Sequence, residues 1–595
     1  MLLIPGACRV KQLTRRVGLP SDQEKLSNKA LLARVMIVSG LLQALILLPS
    51  QALPLGDISA VGAGKREIFA RLWLSAELLV GVSLMFALGL RKARWLQRLV
   101  AVCLSASFVL EVYDVFILRA FSRMPVLYND VLLIWDGLNL ALDLLPGGAF
   151  TTFVLAAGLS SLLLWVNLKA LSVMSKWHQD ATSPVCLRVW VIVSILFCGL
   201  IAERSPVLRD ALVQSSFARL KANAVRSVEM QHAMQALASE PEAPSVKDQM
   251  APIQLQQTPD IYILVVESYG SILFENKLLR EGHQALMDNM SGSLKRLGYL
   301  THSQASISPV VGGASWQATS TLLSGIEVKN QHLYTKLYES GAYGLPGFLG
   351  ERGYTTWAVQ AGYRTRPGRP VSNPWGYDHT LYFADLNYHG SRWGWGVVPD
   401  QYALGFAAER IQNEASSPNL MMFTGVSTHV PWNPGPGLQK DWHSLGEPAN
   451  GTADDGGVWS KLKARLSGQP QNCISLECFQ RAITYEWGVI LNFIESLESQ
   501  NALIVIVGDH QPPVLPTKDA AVPIHLISRG VQGLDSLTEF GFVAGLKPGS
   551  REPLYHEGLF SLLAQLLSYD PGNENAAVGI YKPRGVSPAS LLRLP

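Results

Sequence analysis

Apolar residues follow two different patterns along this chain. Up to about residue 204 they form long unbroken runs, and beyond about residue 257 they form short β-branched runs that stop at turn residues. Five of the long runs reach spanning length: Ala30 to Pro49, Ile68 to Leu90, Leu99 to Leu118, Phe150 to Leu168 and Leu187 to Glu203. Each is near the ~20 residues a helix needs to cross a bilayer. The short runs are Ile261 to Val266, Thr355 to Gln360, Asn419 to Phe423, Leu503 to Val507 and Val522 to Ile527. They alternate with helical patterns at Gln317 to Ser324, Arg481 to Leu497 and Glu557 to Leu567, which predicts an α/β fold with a mainly parallel central sheet flanked by helices. The chain therefore divides into a basic tail (1–29), a five-helix transmembrane domain (30–204), a helical, Pro-containing juxtamembrane linker (205–256) and an exported domain (257–595).

Charge changes this picture by giving it an orientation. The tail carries Arg9, Lys11, Arg15, Arg16, Lys25 and Lys29 against Asp22 and Glu24, and such basic flanks stay on the cytoplasmic side. The loops after the second span (Arg91, Lys92, Arg94, Arg98) and the fourth (Lys169, Lys176, Arg188) are basic too, so an odd number of spans places the last domain outside. Several spans and no small-residue cleavage site argue against a cleaved signal peptide. Over 595 residues the formal net charge is only +3, with 48% hydrophobic residues and mean hydropathy +0.17, and no basic, aromatic-interleaved patch points to nucleic acid.

Three acidic residues, Glu77, Glu111 and Asp114, fall inside predicted spans, where ionisable groups are costly and either pair within the bundle or serve function. The external stretch Tyr128 to Leu145, with Asp130, Asp136 and Asp143 among Leu, Ile and Trp, reads either as an amphipathic helix lying on the membrane surface or as a plain loop helix. Cys473 and Cys478 form a close pair in the exported domain, where an oxidising compartment favours a disulfide; a metal pair is the rival, without a second Cys or His pair to support it.

The candidate chemistry sits at the ends of two apolar runs. Val265-Val266-Glu267-Ser268 and Val507-Gly508-Asp509-His510 each deliver ligand-type side chains where a parallel strand meets its crevice, so Glu267, Asp509 and His510 read as ligands of one divalent cation. Mixed oxygen and nitrogen donors suit Mn²⁺ best, with Zn²⁺ or Mg²⁺ as alternatives. A cation of this kind lowers the pKa of a bound hydroxyl, which calls for a nucleophilic Ser or Thr nearby. Ser315 is the candidate: Gly312-Gly313 permits close backbone approach, and Ser315 opens a helix whose N-terminus favours an anion. An ordinary Ser N-cap is the competing reading.

Together these motifs resemble the lipoteichoic acid synthases and phosphoglycerol transferases, membrane members of the alkaline phosphatase and sulfatase superfamily. The resemblance rests on Val266-Glu267-Ser268, Gly313-Ala314-Ser315, Trp395-Gly-Val-Val-Pro-Asp400, Ser427-Thr428-His429-Val430-Pro431 and Gly508-Asp509-His510, in order across nearly the whole chain. It implies a sulfatase-like exported domain with Glu267, Ser315, Asp509 and His510 around the metal and His429 near the substrate phosphate. It further implies that the nucleophile takes a phosphoglycerol-type head group from a phospholipid donor, as a covalent phospho-Ser intermediate, and passes it to a hydroxyl on a glucan, polymer or lipid acceptor. The location implied is the bacterial inner membrane, multi-pass, with the catalytic domain periplasmic or extracellular.

The chain also departs from that family. Ser315 stands where a Thr is usual, and Arg366 and Arg369 are phosphate-binding candidates in place of the usual Trp and Arg. The Gly- and Pro-rich insertion Asn433 to Pro470 has no assigned counterpart. A phosphoethanolamine transferase or phosphodiester hydrolase of the same superfamily is the alternative, although Gln511-Pro512-Pro513 replaces the Gly-Glu that commonly follows the Asp-His pair in the former. A sulfatase proper is excluded by Ile307, which sits where its Cys or Ser would precede Pro309. A non-catalytic membrane sensor or scaffold is the reading from another class, and it would be expected to lack a ligand or the nucleophile.

Overall fold

The computed structural model describes residues 74–75, 94–134, 136–137, 148–179, 213–214, 216–241, 244–341, 343–365, 372–391, 393–394, 398–414, 418–432, 435–447, 473–513, 517–572 and 579–593. The basic tail, the first and fifth predicted spans, the second apart from the short strand Leu74–Ser75, Glu77, and most of the 433–470 insertion lie outside these residues. By its contacts the chain falls into two compact units, one of Met1–Pro54, Gly62–Phe116 and Gly147–Val225, the other of Leu55–Val61, Ile117–Pro146 and Arg226–Pro595.

In the first unit, the third predicted span lies within helix α1 (Arg94–Phe121), among the described residues the one helix long and apolar enough to cross a membrane. The fourth lies within α2 (Gly148–Gln179), where Ala157–Ser172 is a shorter apolar stretch. The expected five-helix bundle is therefore described only in these two members. Helix α3 (Ser216–Ala238) begins in this unit and supplies Arg219, which pairs with Glu111 at 2.5 Å and Asp114 at 3.0 Å. Of the two readings of these acidic residues, pairing is the one observed: a cation at hydrogen-bond distance offsets part of the cost of burying Glu111.

The second unit is built on one sheet. Its strands are β1 (Asp260–Val266), β2 (Leu300–Ile307), β3 (Thr355–Gln360), β4 (His379–Tyr382), β5 (Asn419–Thr424), β6 (Ala502–Gly508), β7 (Ala521–Arg529), β8 (Val543–Ala544) and β9 (Leu554–Tyr555), in the order β8-β2-β7-β6-β1-β5-β3-β4 with β9 beside β2. The run β6-β1-β5-β3-β4 is parallel throughout. The sheet is mainly parallel, as expected, but not purely so: β7 is antiparallel to both β6 and β2, and β8 is antiparallel to β2. The link from β6 to β7 holds no helix among its described residues, and without a helical crossover the chain returns antiparallel.

β1 is central and buried along its full length, so its side chains divide between two cores by the period of two. Tyr262, Leu264 and Val266 meet Ile504, Ile506 and Phe423 on one face; Ile261, Ile263 and Val265 meet Leu503, Val505 and Val507 on the other. The first face is covered by α4 (Arg280–Arg296), α7 (Asp400–Glu414) and α8 (Leu476–Ser496), the second by α5 (Ser315–Ser324), α6 (Gln331–Ser340) and α9 (His556–Leu567). Burying each such aliphatic side chain contributes about 1.5–3 kcal/mol, so this core fixes the strand ends that carry the polar groups.

Candidate active site

Strands β1 and β6 are adjacent and parallel, in register from Asp260 with Ala502 to Val266 with Gly508. The residues that follow each strand therefore emerge side by side, and Glu267 comes to lie next to Asp509 and His510. The two exits approach so closely that a Cβ on Gly508 would lie 1.9 Å from the Tyr269 carbonyl oxygen, so only glycine fits there. Ser268 turns the chain out of β1 with φ at 59°, a left-handed value, and its N–H donates to Asp509 Oδ1 at 2.8 Å.

The candidate nucleophile arrives from the other end of the polypeptide loop. Gly313 (φ 55°) and Ala314 (φ 56°) are both left-handed and throw Ser315 into the first turn of α5. Ala314, not Ser315, is the N-cap residue, so the Ser315 hydroxyl is not spent on capping. It donates to Glu267 Oε2 at 2.8 Å and lies 3.2 Å from His510 Nε2.

Glu267, Asp509 and His510 are all buried, and their ligand-type atoms lie within 4.8 Å of one another. The His510 Nδ1 contacts the Gln511 carbonyl at 2.8 Å, and since a carbonyl can only accept, Nδ1 carries the proton. That leaves Nε2 to face Glu267 Oε1 at 3.2 Å and Asp509 Oδ2 at 3.5 Å. Asp509 Oδ2 is buried without a hydrogen-bond donor. Three electron-pair donors converging on one point, one of them an unsatisfied buried carboxylate oxygen, is a donor set that fits a divalent cation. The electrostatics say the same. Burial and the neighbouring Glu267 push the Asp509 carboxyl up to about 7, while the two carboxylates outweigh the burial of His510 and hold it up to about 9. Burial opposes the charge on Glu267, but His510 and His429 override it and keep that carboxyl below the ordinary range.

His429 thus acts on the same cluster. Its loop is fixed at both ends: Thr428 Oγ1 donates to the Glu267 carbonyl at 2.7 Å, and the Trp432 N–H donates to the Cys473 carbonyl at 2.7 Å. Cys473 and Cys478 are joined by a disulfide, with Cα atoms 6.0 Å apart, at the start of α8. Arg366 and Arg369 lie outside the described residues.

Sequence reading missed the support beneath this loop. Asp400, fully buried at the start of α7, accepts from the N–H groups of Val426 and Ser427, each at 2.8 Å. Burial pushes it up to about 6, and burial with the Asp400 charge pushes Glu486, on α8, well above its usual value. Asp400 closed a quoted motif without an assigned role, and Glu486 gave no signal beyond an acidic residue on the apolar face of a helix.

No protein-family model and no curated protein matches this sequence. Solved structures do. One is a lipoteichoic acid synthase from Listeria monocytogenes, at 14% identity and TM-score 0.36 over 58% of this chain and 80% of that one. Another is the integral membrane lipooligosaccharide phosphoethanolamine transferase A from Neisseria meningitidis, at 11% identity and TM-score 0.40 over 87% of this chain and 97% of that one. A third is a phosphoglycerol transferase from Streptococcus pyogenes in complex with sn-glycerol-1-phosphate, at 13% identity and TM-score 0.33 over 58% and 83%.

Proposed function

We propose that the chain is a membrane phosphotransferase that moves a phosphoglycerol-type head group from a phospholipid to an acceptor hydroxyl, with Ser315 as nucleophile. The observation that carries this reading is the position of Ser315 Oγ, at hydrogen-bond distance from both Glu267 and His510 at the mouth of a helix. Glu267, Asp509, His510 and the Ser315 hydroxyl would hold the cation, Mn²⁺ by the mixed donor set. When bound, it supplies Lewis acidity that favours the Ser315 alkoxide and offsets charge on the phosphoryl oxygens.

The residues then divide the work. Ser315 Oγ attacks the donor phosphorus; the bond from phosphorus to the diacylglycerol oxygen breaks, and diacylglycerol leaves with a proton. The N–H groups of Ser315 and Trp316, at the start of α5, receive the transferred phosphoryl oxygens. His429, whose Nδ1 is committed to the Val430 carbonyl at 2.6 Å, presents Nε2 as the group that hands the proton to the leaving oxygen and later takes one from the acceptor hydroxyl. Acceptor attack on phosphorus releases Ser315 and completes the cycle. The full chain in detergent, given Mn²⁺ and either phosphatidylglycerol or phosphatidylethanolamine, tests this by intact mass. A glycerol-phosphate adduct on Ser315 is expected; an ethanolamine-phosphate adduct would change the donor, and no adduct with metal bound would overturn the reading.

A further inference from the structure

The turn that carries Ser315 does not stand alone. The end of α1 and the residue after it, Ala120 to Ser122, pack directly on it: a Cβ on Gly313 would lie 2.3 Å from the Ala120 carbonyl oxygen, and one on Gly312 would lie 2.6 Å from Ser122 Oγ. Phe121 meets the Trp316 ring edge-on at 6.2 Å. Further along the same segment, Asn129 Oδ1 accepts from the N–H of Gln331 at 2.8 Å, and Tyr128 stacks on His332 at 4.1 Å. Residues 121–134 are therefore a strap across the helices that follow the nucleophile, and all of them belong to the same compact unit.

The polarity of this strap is inverted. Its short helical turns, Leu127–Asp130 and Val131–Leu133, bury their most polar residues, Asn129 (3% exposed) and Asp130 (5%), against the protein. Asp130 is held there by the Val126 N–H and by Arg123. The opposite side, at helical spacing, is Met124, Leu127, Val131 and Ile134, exposed by 62, 52, 48 and 59%. A segment surrounded by water would be turned the other way round. It follows without a break from α1, whose last turns also expose Phe116 and Leu118 and whose length and composition suit a bilayer.

We infer that Met124, Leu127, Val131 and Ile134 lie in the interfacial layer of a phospholipid bilayer, so that the strap seats the Ser315 turn against the lipid surface. The occupant of this apolar ridge is lipid, because the ridge continues a helix of spanning length and because the strap's polar side is already engaged by the protein. This rests on the membrane location in the proposed function, and it adds that the surface segment is part of the catalytic body and sets where lipid head groups are met.

The test uses the full chain with Cys8, Cys103, Cys186 and Cys198 replaced by Ser, labelled with one environment-sensitive fluorophore at Leu127→Cys and reconstituted in phosphatidylglycerol and phosphatidylethanolamine vesicles. A label at Leu278→Cys, exposed by 71% on the same unit, is the aqueous control. The expected result is quenching of the Leu127 label by acyl-chain-brominated lipid, at a depth of about 5–10 Å, and not by iodide. Iodide quenching equal to that at Leu278 would overturn the inference. A second arm compares the unlabelled chain with Leu127→Glu/Val131→Glu. Turnover of vesicle lipid should fall about tenfold while hydrolysis of a soluble phosphodiester is unchanged; equal loss on both substrates would overturn the role of the lipid surface. If the unmodified chain turned over neither substrate, the functional reading would fail while the quenching result still decided the surface.

Discussion

Two buried polar clusters built around histidine lie at the same sheet, and they are opposite in kind. On its antiparallel side, Ser303 Oγ donates to the Gly545 carbonyl at 2.6 Å and so accepts from His525 Nδ1 at 2.7 Å, which leaves Nε2 to take the Tyr269 hydroxyl at 3.0 Å. His556 donates from Nε2 to the Gly508 carbonyl at 3.2 Å and accepts from Ser306 at 2.9 Å. Neither ring contacts a carboxylate; burial, with the neighbouring His283, pushes His525 down to about 3, and burial pushes His556 down to about 4. On the parallel side, His510 faces two carboxylates, is held up to about 9, and leaves Asp509 Oδ2 without a donor. Burial is common to both. What separates a structural histidine from a ligand is whether its hydrogen bonds close among neutral groups or leave charge that wants a cation.

The largest effect should come from breaking the open cluster at its reactive atom. Ser315→Ala should lower head-group transfer by roughly three orders of magnitude or more, with circular dichroism unchanged, because in the proposed reaction the hydroxyl forms the bond to phosphorus and it does not cap the helix. Residual turnover near the unmodified rate would move the nucleophile elsewhere, Thr319 being next along α5.

Metal affinity sharpens the same contrast. A cation must displace the proton that Asp509 (about 7) and His510 (about 9) hold in its absence. Mn²⁺ affinity by titration calorimetry should therefore rise as pH goes from 6 to 8, with proton release. A flat profile would show that these groups do not bind the ion. At 100 times its dissociation constant the ion should add about 2.7 kcal/mol of stability, lost in Asp509→Asn.

Disturbing the closed cluster should act on folding and not on chemistry. His525→Leu removes one hydrogen bond from each of Ser303, which keeps the Gly545 carbonyl, and Tyr269, which keeps only the longer His283 contact at 3.4 Å, at about 1 kcal/mol for each bond lost in a dry site. The thermal midpoint should drop while turnover per folded molecule stays close to that of the unmodified chain; a selective loss of turnover would mean that the cluster reaches the reacting atoms.

How legible each cluster was in the sequence follows from the same difference. Glu267, Asp509 and His510 could be read because each ends a β-branched run, and a strand's exit is where such residues have no packing reason to be. β2 could not. Leu300-Thr-His-Ser-Gln-Ala-Ser-Ile307 is polar by composition, yet Ser303 and Ser306 are buried, because their partners His525 and His556 lie about 220 and 250 residues further on. Hydrophobic periodicity does not register a strand whose inward face is hydroxyls satisfied at long range. For the same reason the direction of β7 could not be read: Val522 to Ile527 is apolar in either direction, and only the connection from β6, with no helix among its described residues, decides.

The smallest predicted effect separates the clusters by the sign of their pH dependence. His525 and His556 titrate lower in the folded chain than the ~6.5 of an unfolded histidine, so between that value and their folded values the unfolded chain binds more protons. Their contribution to stability is whole above pH 6.5 and declines as pH falls, by roughly 2 kcal/mol per ring at pH 5. His510 runs the other way in metal-free protein: raised above 6.5, it lends stability below that pH and loses it as pH climbs towards about 9. Thermal midpoints of the metal-free chain should therefore show a fall on the acid side that His556→Gln reduces, and a fall on the alkaline side that His510→Gln reduces. If His556→Gln left the acid side unchanged and flattened the alkaline one, the assignment of neutral and charged rings would have to be exchanged. On the proposed reading Mn²⁺ would take the place of the proton on His510, so saturating metal should remove the alkaline fall and leave the acid one; that result would tie the charged ring, and not the neutral ones, to the cation.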